Sequence, residues 1–269
     1  MQNHRKNSLN SSLSFLILTS RGVNMVERPI YRLINGEAII EKDFLADEEI
    51  ITIECEGKSV VKLLATPQDL QDLAIGHIAC ENRGEISSIN ISGNTITLTG
   101  KIIPRPAEDL LTAACGSCTV GDIEIPNRIV ENTVRLTISP KELIQKMSEH
   151  QVMFRKSGGV HAAAIFSSDG ELVNVREDIG RHNAFDKAVG AAISSKEHTK
   201  IIALSGRCGW ELIAKSVRIG IELVICVGAL SSSAESLARE CGVTLVGFAT
   251  TEKPYFVGPI ERIVHKSED

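Results

Sequence analysis

Residues 201–248 read IIALSGRCGWELIAKSVRIGIELVICVGALSSSAESLARECGVTLVGF, and this stretch decides the fold. It contains three almost continuously apolar runs, at 201–204, 223–227 and 243–248, with helical patterns between them. Strands that are apolar along their whole length are typical of a parallel sheet covered by helices on both faces. Because the same alternation begins near residue 128, the sequence predicts a C-terminal α/β domain over 128–269.

Small and polar residues follow each of the three predicted strands. They are Ser205-Gly206-Arg207 after the first strand, Ser231-Ser232-Ser233 after the second, and residues 249–253 after the third. Ligands of open α/β sheets bind beyond the carboxyl ends of the strands, and helix N-termini there attract anions. Arg207 adds a guanidinium that matches phosphate. These features predict a pocket for a phosphorylated or nucleotide-like ligand, with ordinary strand–helix turns as the alternative interpretation.

Two further polar clusters lie upstream of these strands. Arg181-His182-Asn183 is predicted at the start of a helix, and Gly158-Gly159-Val160 leads into a strand that begins at His161. A lone histidine at a strand start is more often structural than catalytic. Two histidines in glycine-flanked polar turns strengthen the prediction of a site only modestly.

The part of the chain before residue 104 has a strand-rich pattern. Apolar alternation around Glu56-Gly57-Lys58 and around Gly93-Asn94 predicts two β-hairpins. Between the hairpins we predict one helix, with Thr66 as its N-cap and Pro67 at its first position. Residues 25–103 are therefore predicted to form a smaller N-terminal α+β domain. Residues 1–24 are rich in Asn and Ser and are predicted to be a disordered extension.

Cys115-Gly116-Ser117-Cys118 places two thiols close together in the segment 104–127, which has neither helical nor strand periodicity. We predict that this segment is an exposed, mobile connection. The chemistry of such a pair depends on its thiolates. It can form half of a zinc site, act as a redox couple, or carry sulfur as a persulfide.

The zinc interpretation is the weakest, because zinc needs four ligands and the sequence has no second Cys-x-x-Cys and no spaced histidine pair. No metal is therefore predicted. A thioredoxin-like couple would precede a helix, and no clear helical pattern follows Cys115. A sulfur carrier needs only a reactive thiolate with reach, so the residues alone leave redox chemistry and sulfur transfer open.

The composition argues for or against certain classes of partner and indicates a cellular compartment. The net charge of −5 argues against general nucleic-acid binding. No stretch supplies the roughly 20 apolar residues of a membrane span. The seven cysteines, an odd number found mostly in apolar runs, indicate a reduced, cytoplasmic protein. We predict four of them to be packing residues and a fifth, Cys208, to lie in a loop; the four are Cys55, Cys80, Cys226 and Cys241.

An ordered set of segments over roughly residues 25–250 resembles the formate dehydrogenase accessory sulfurtransferases, the FdhD family. This set is far more specific than a Cys-x-x-Cys pair alone. Its members are Thr66-Pro67-Gln68-Asp69-Leu70, Cys115-Gly116-Ser117-Cys118, Ser157–Ala163, Val175–Ala184 with Asp186-Lys187, Ser205-Gly206-Arg207 and Thr244–Ala249.

The resemblance implies a cytoplasmic homodimer that takes persulfide sulfur from a cysteine desulfurase. It further implies delivery of that sulfur to the molybdenum (or tungsten) bis(molybdopterin guanine dinucleotide) cofactor, bound as substrate, for formate dehydrogenase. Cys115 would be the persulfide carrier and Cys118 its accessory thiol. The candidate cofactor-binding residues are His182, Ser205, Gly206, Arg207, Phe248, Ala249, Thr250, Thr251, Glu252 and Lys253.

The resemblance also implies a cytidine-deaminase-like C-terminal α/β/α domain, although the deaminase zinc signature is missing from this chain. After Phe248 the family commonly has an Arg and a Gly-Arg pair, where this chain has Thr250-Thr251-Glu252-Lys253-Pro254. Two other classes of function remain as alternatives. One is a non-catalytic cofactor-binding chaperone for formate dehydrogenase, and the other is a zinc or thiol-redox protein.

Overall fold

The structure is a computed structural model that describes residues 25–104 and 125–263. Within these ranges the chain forms a two-stranded ribbon, a four-stranded sheet and a six-stranded sheet, together with six α-helices. The predicted α/β class is confirmed. The predicted extension 1–24, and the part of the predicted mobile segment that carries Cys115 and Cys118, lie outside the described residues.

The N-terminal part is built mainly from antiparallel strands. The two predicted hairpins, around Glu56-Gly57-Lys58 and around Gly93-Asn94, are both confirmed. The four-stranded sheet has the order β4-β3-β6-β5, and one helix packs on it. The elements are β1 (Met25–Ile34), β2 (Glu37–Ala46), β3 (Glu49–Cys55), β4 (Lys58–Ala65), α1 (Leu70–Cys80), β5 (Gly84–Ser92) and β6 (Thr95–Ile102).

The start of α1 differs from the prediction. The helix begins at Leu70, and its N-cap is Asp69 with φ of 52°, so the prediction of Thr66 as N-cap is wrong. Thr66 is fully buried. Its N–H donates to Asp178 Oδ2 at 3.1 Å, and its hydroxyl accepts from the N–H of Ile179 at 3.2 Å. The Thr66 hydroxyl is thus used in a contact with the C-terminal part, and Pro67 precedes the helix instead of being its first residue.

The C-terminal part contains the six-stranded sheet, in the order β12-β11-β10-β9-β7-β8. The strands β9, β10 and β11 are parallel, as the sequence predicts, whereas β7 and β12 are antiparallel to their neighbours. The elements are α2 (Pro140–Ser148), α3 (Val152–Ser157), β7 (His161–Phe166), β8 (Leu172–Asp178), α4 (Arg181–Ser194), β9 (Ile201–Leu204), α5 (Trp210–Ile219), β10 (Leu223–Cys226), α6 (Ser232–Glu240), β11 (Thr244–Gly247) and β12 (Tyr255–Val257), followed by a 3-10 helix at Ile260–Arg262.

Both faces of this sheet are covered. Val224 and Leu245 point into a core with α4, α5 and α6, whereas Ile225 and Val246 point into a second core with α2. Successive residues of a strand point to opposite faces, so an apolar run supplies both cores at once. This double burial is the physical reason for the apolar runs in 201–248.

Residues 134–138 alternate between apolar and polar side chains, as a strand does, but they form only one isolated bridge, between Leu136 and Ile263. The N–H groups of Thr133 and Val134 donate to Glu222 Oε2 at 2.7 and 3.0 Å instead of to a neighbouring strand. Because the alternating apolar residues are still buried against the sheet, the segment carries a strand-like pattern without forming a ladder.

The two parts of the chain meet where α1 packs on α4. A Cβ atom on Gly76 would lie 1.7 Å from the carbonyl oxygen of Asp186, and one on Gly190 would lie 1.9 Å from that of Asp72. Both distances are far below van der Waals contact, so only glycine fits at these positions. The helices therefore touch backbone to backbone, and α4 is held firmly beside the edge of the sheet where the predicted pocket lies.

Candidate functional site at the carboxyl ends of the parallel strands

The loops that follow β9, β10 and β11 are joined by backbone hydrogen bonds. The N–H of Gly228 donates to Gly206 O at 3.1 Å, and the N–H of Phe248 donates to Gly228 O at 3.1 Å. The N–H of Ala249 donates to Cys226 O at 3.0 Å. The three predicted ligand-binding loops thus form one continuous edge, in which the backbone of one loop fixes the next.

The antiparallel strand β7 brings His161 to the same edge. The N–H of Ser205 donates to Ala162 O at 3.0 Å, and the Ser205 hydroxyl accepts from the N–H of Ala162 at 2.8 Å. A Cβ atom on Gly206 would lie 3.1 Å from His161 Nδ1, so the glycine leaves room for the imidazole. Ser205 and Gly206 therefore position the histidine.

His182 lies in the first turn of α4 and pairs with a carboxylate of α5. Its Nε2 is 2.9 Å from Glu211 Oε2. Because Glu211 is in the first turn of α5, this contact joins the N-termini of the two helices. Arg181 precedes His182 as the first residue of α4, and its Nε is buried without a hydrogen-bond partner among the described residues.

Four basic side chains belong to this edge: His161 lies against Gly206, Arg207 lies against Gly228, and Arg181 and His182 are in the first turn of α4. Burial lowers the pKa of His161, and the positive charges of Arg181, His182 and Arg207 lower this pKa further. A neutral His161 therefore lies among three basic side chains. Of these, His182 is paired with Glu211. A partly buried site with excess positive charge attracts a multiply charged anion.

The buried carboxylate of Asp178 offsets part of this positive charge at His161, but its own ion pair lies inside the fold. Asp178 Oδ2 lies 2.6 Å from Lys187 Nζ, and both side chains are fully buried. The amide of Asn183 donates to Asp178 Oδ1 at 2.9 Å and to Leu64 O at 2.8 Å. Much of the polar segment that surrounds His182 is thus structural, and it locks the start of α4 to the N-terminal part.

The residues of the predicted loop over 248–253 differ in their exposure and in their contacts. Phe248 has φ of 51°, and its ring meets Tyr255 edge to face with 5.5 Å between the ring centroids. Ala249 is buried, and the hydroxyl of Thr251 donates to Phe248 O at 2.9 Å. The remaining three residues are exposed; they are Thr250, Glu252 and Lys253.

Ser231 after β10 and Cys208 after β9 have structural roles. The Ser231 hydroxyl accepts from the N–H of Ala234 at 3.1 Å and caps α6. Cys208, predicted in a loop, follows β9 in a loop but is buried, and its thiol donates to Gly209 O at 3.7 Å. The four cysteines predicted as packing residues are also buried; they are Cys55, Cys80, Cys226 and Cys241.

The predicted carrier Cys115 and its accessory Cys118 lie outside the described residues. Within the described ranges, no group of three or more His, Cys, Asp or Glu side chains is placed to hold a metal ion. None of the helices described is long and apolar enough to cross a bilayer.

Sequence reasoning missed two members of the basic cluster, His161 and Arg181. Both residues lie in segments that the sequence marks as polar, but neither is among the predicted site residues. The feature that brings His161 to the site is the direction of β7, and a sequence pattern alone does not give that direction. Because β7 runs antiparallel to β9, its first residue lies at the edge where β9 ends.

The family comparison covers most of the described chain. The model of the FdhD/NarQ family matches residues 46–264. The chain belongs to the FdhD/NarQ family. The matched range includes the four-stranded sheet, the α1–α4 contact, the basic cluster and the Cys115–Cys118 pair.

Among curated members of the FdhD/NarQ family, the chain is similar to proteins named sulfur carrier protein FdhD. It is 30% identical to that of Sulfurisphaera tokodaii over 234 residues, which cover 81% of this chain and 91% of the relative. It is 33% identical to that of Streptomyces coelicolor over 251 residues, which cover 82% of this chain and 89% of the relative. The similarity therefore spans nearly the whole length of these relatives.

A solved structure has the same fold. The crystal structure of a protein described as a formate dehydrogenase accessory protein, from Desulfotalea psychrophila, matches with a TM-score of 0.77. The match covers 89% of this chain and 99% of the other chain at 19% sequence identity. At this identity the likeness supports the fold alone.

Proposed function

We propose that this chain is a sulfur carrier that passes persulfide sulfur to an anionic, nucleotide-containing cofactor used by formate dehydrogenase. The observation that carries the proposal is the placement of four basic side chains at one edge of the sheet, on β7, on the loop after β9 and at the start of α4; they are His161, Arg181, His182 and Arg207. It occurs in a member of a family whose curated relatives are named sulfur carrier proteins. The chain also has a Cys-x-x-Cys pair within the matched range.

The loading step is a thiol–persulfide exchange. The Cys115 thiolate attacks the terminal sulfur of a persulfide on a cysteine desulfurase. A new S–S bond forms on Cys115, the old S–S bond breaks, and the desulfurase cysteine leaves as a thiolate. Since one persulfide replaces another, the exchange involves no net oxidation.

Cys118 then supplies a way to release the sulfur. Its thiolate attacks the Cys115 sulfur, which forms a Cys115–Cys118 disulfide and releases hydrosulfide. The two electrons that reduce the terminal sulfur come from oxidation of the two cysteines. A cellular dithiol reductant then restores both thiols. This scheme gives Cys118 a role distinct from that of the carrier.

The basic cluster binds the acceptor. The substrate that we propose is the molybdenum or tungsten bis(molybdopterin guanine dinucleotide) cofactor, whose pyrophosphates are multiply charged anions. Arg181 and Arg207 would bind phosphate oxygens, because guanidinium groups match phosphate geometry. The N-terminus of α4 would add free N–H groups. The exposed ring of Phe248, on the loop next to Gly228, would contact the nucleotide.

The partners follow from this chemistry. A cysteine desulfurase supplies the sulfur, and formate dehydrogenase receives the completed cofactor. We also propose that the chain acts in the reducing cytoplasm as a homodimer. Persulfides and free thiols persist in that compartment.

Mass spectrometry tests the carrier assignment directly. After incubation with desulfurase and cysteine, the peptide that contains Cys115 should gain the mass of one sulfur atom. Cys115→Ala should abolish this gain and the activation of formate dehydrogenase. Ser117→Ala is the matched control in the same segment and should retain both. Activation by the Cys115→Ala variant would overturn sulfur transfer and favour the non-catalytic chaperone instead.

Binding of GDP tests the basic cluster separately. GDP carries the base and phosphates of one half of the proposed acceptor. Arg207→Gln should weaken GDP binding by about tenfold, since one charge-assisted contact to phosphate is lost. Arg239→Gln, on the exposed face of α6, is the control and should leave GDP affinity unchanged. Equal GDP affinity in both variants would contradict the proposed acceptor site.

A further inference from the structure

Tyr255 lies beside the site, on the short strand β12. It is directly opposite Gly247, the last residue of β11. A Cβ atom on Gly247 would lie 2.6 Å from Cζ of the Tyr255 ring and 2.9 Å from its hydroxyl oxygen. The Tyr255 ring therefore lies across the glycine, in the space that a side chain at position 247 would occupy.

The far end of the same side chain is bonded to the loop after β10. The Tyr255 hydroxyl accepts a hydrogen bond from the N–H of Leu230 at 3.1 Å. Leu230 in turn forms a β-bridge with Cys208, in the loop after β9. One side chain thus connects β12 to the loop after β10, which is itself bridged to the loop after β9. These contacts fix the position of the Tyr255 ring.

Phe248, the neighbour of this ring, has a backbone conformation that is rare for a bulky residue. Its φ of 51° lies in the left-handed region. Residues persist in this region only where their surroundings hold them, and they are common at ligand-binding sites. The Phe248 N–H donates to Gly228 O at 3.1 Å, and the Phe248 carbonyl accepts from the N–H of Thr251 at 3.0 Å. The backbone is therefore held on both sides of the residue.

The two aromatic rings meet edge to face. Their centroids are 5.5 Å apart, and their planes make an angle of 73°. This arrangement is attractive because the edge of one ring is positive and the face of the other is negative. Tyr255 covers at most one flat face of Phe248 in such a contact. Phe248 remains 40% exposed and Tyr255 39% exposed, so the pair does not fill a core.

The Phe248 ring belongs to the same edge as the basic side chains. Phe248 is hydrogen-bonded to Gly228, and Gly228 is hydrogen-bonded to Gly206. Neighbouring strands are about 4.8 Å apart, so these two steps separate Phe248 from Gly206 by roughly 10 Å. Arg207 packs against Gly228, between the two. A ligand with a planar base at one end and phosphates at the other can contact both the ring and the basic groups.

We propose that Tyr255 is the positioning residue of a base-binding subsite. It holds the Phe248 ring so that a free flat face stacks on the base of the acceptor, while the basic side chains bind the phosphates. The inference rests on the nucleotide-containing acceptor proposed above. It adds a residue outside the strand-end loops that controls recognition of the base and not of the phosphates.

Calorimetric titration with GDP and with inorganic pyrophosphate tests this role, because pyrophosphate has the phosphates without the base. Tyr255→Leu should weaken GDP binding by at least about fivefold, the lower end of what one base–aromatic stack contributes. It should leave pyrophosphate affinity unchanged. Tyr255→Phe keeps the ring and loses only the hydrogen bond, so it should weaken GDP binding by only about twofold. Tyr31→Leu is the matched control at the other tyrosine of the chain, which is 74% exposed on β1.

Phe248→Leu provides a second variant and should reproduce the pattern of Tyr255→Leu; circular dichroism of every variant checks the fold. Unchanged GDP affinity in Tyr255→Leu would overturn the role of Tyr255. An equal loss for GDP and pyrophosphate would also overturn it, because a general disturbance of the edge would then explain the loss.

The wild-type chain separates this role from the proposed acceptor site. Wild-type protein that binds GDP no more tightly than pyrophosphate would overturn the base subsite and leave the anion site standing. Wild-type protein that does not bind GDP would overturn both. Binding of GDP by the wild type with no loss in Tyr255→Leu would overturn the positioning role alone.

Discussion

Lys187 Nζ and Asp178 Oδ2 lie 2.6 Å apart in the interior, where neither side chain is exposed to solvent. The Lys187 ammonium also donates to Thr66 O at 2.9 Å, and the Thr66 N–H donates to Asp178. One ion pair therefore joins the end of β4 to the turn that positions α4. It fixes the start of the helix that carries Arg181 and His182.

Lys187→Met should destabilise the protein by about 3–5 kcal/mol, because it leaves Asp178 buried without its counterion. The double variant Lys187→Met with Asp178→Asn should recover part of this loss, since it removes the uncompensated charge. Urea denaturation measures both effects. Lys141→Met on the exposed side of α2 is the control. A loss below about 1 kcal/mol in Lys187→Met would show that the pair does not hold the fold.

Stability should fall as the pH drops below about 6.5. Burial lowers the pKa of His77, although the nearby Asp186 opposes this shift. Below the ordinary histidine pKa, the unfolded chain takes up a proton that the folded chain does not, so acid favours unfolding. The effect of one such group is at most about 1.4 kcal/mol per pH unit.

His77→Gln should flatten this pH dependence between about pH 6.5 and 5. Urea unfolding at a series of pH values measures the slope. His161 also has a lowered pKa, so a smaller slope of the same sign should remain. His150→Gln at an exposed position is the control and should keep the full slope. An unchanged slope in His77→Gln would mean that His77 does not titrate as proposed.

Gly76→Ala should prevent the close approach of α1 and α4, because the added Cβ would lie 1.7 Å from the Asp186 carbonyl oxygen. We expect a loss of at least about 3 kcal/mol in unfolding free energy, or failure to fold. Gly159→Ala is the matched control, since its nearest neighbour would lie at an ordinary 3.7 Å. Comparable stability of the two variants, measured by thermal unfolding, would refute the backbone contact.

The pKa of His161 should lie below the ordinary histidine value and should rise in Arg207→Gln. The positive charge of Arg207 disfavours the imidazolium, so its removal makes protonation easier. A bound phosphate should raise the same pKa, because an anion favours the charged form. NMR titration of the His161 ring protons measures these shifts. Arg239→Gln should leave the titration unchanged, and an Arg207→Gln curve identical to the wild type would remove Arg207 from the cluster.

The parallel strands could be predicted from the sequence because their burial on both faces leaves a local signature. Val224 and Ile225 point in opposite directions, and both are apolar. The edges of the same sheet have no such signature. β12 is only three residues long, and β7 reverses direction. Whether a strand runs parallel or antiparallel depends on which strand it pairs with, and the residues of one strand alone do not determine this.

The candidate site was predictable to the extent that its residues follow strand ends. Arg207 follows β9 directly and is found by this rule. His161 is 46 residues away in the chain, and only the antiparallel pairing of β7 with β9 brings it to Gly206. Thr66 shows the opposite failure, because a good local capping residue is used in a long-range contact.

The contact between Gly76 and Gly190 has a consequence for how such a junction can change over evolution. The close approach of α1 and α4 requires that neither position has a Cβ atom, so almost any other residue at either position would push the helices apart. The residues around the contact can change during evolution as long as these two positions remain glycine. In more distant relatives, the docking of the two parts should thus be traceable by a pair of retained glycines, where the surrounding apolar residues no longer align.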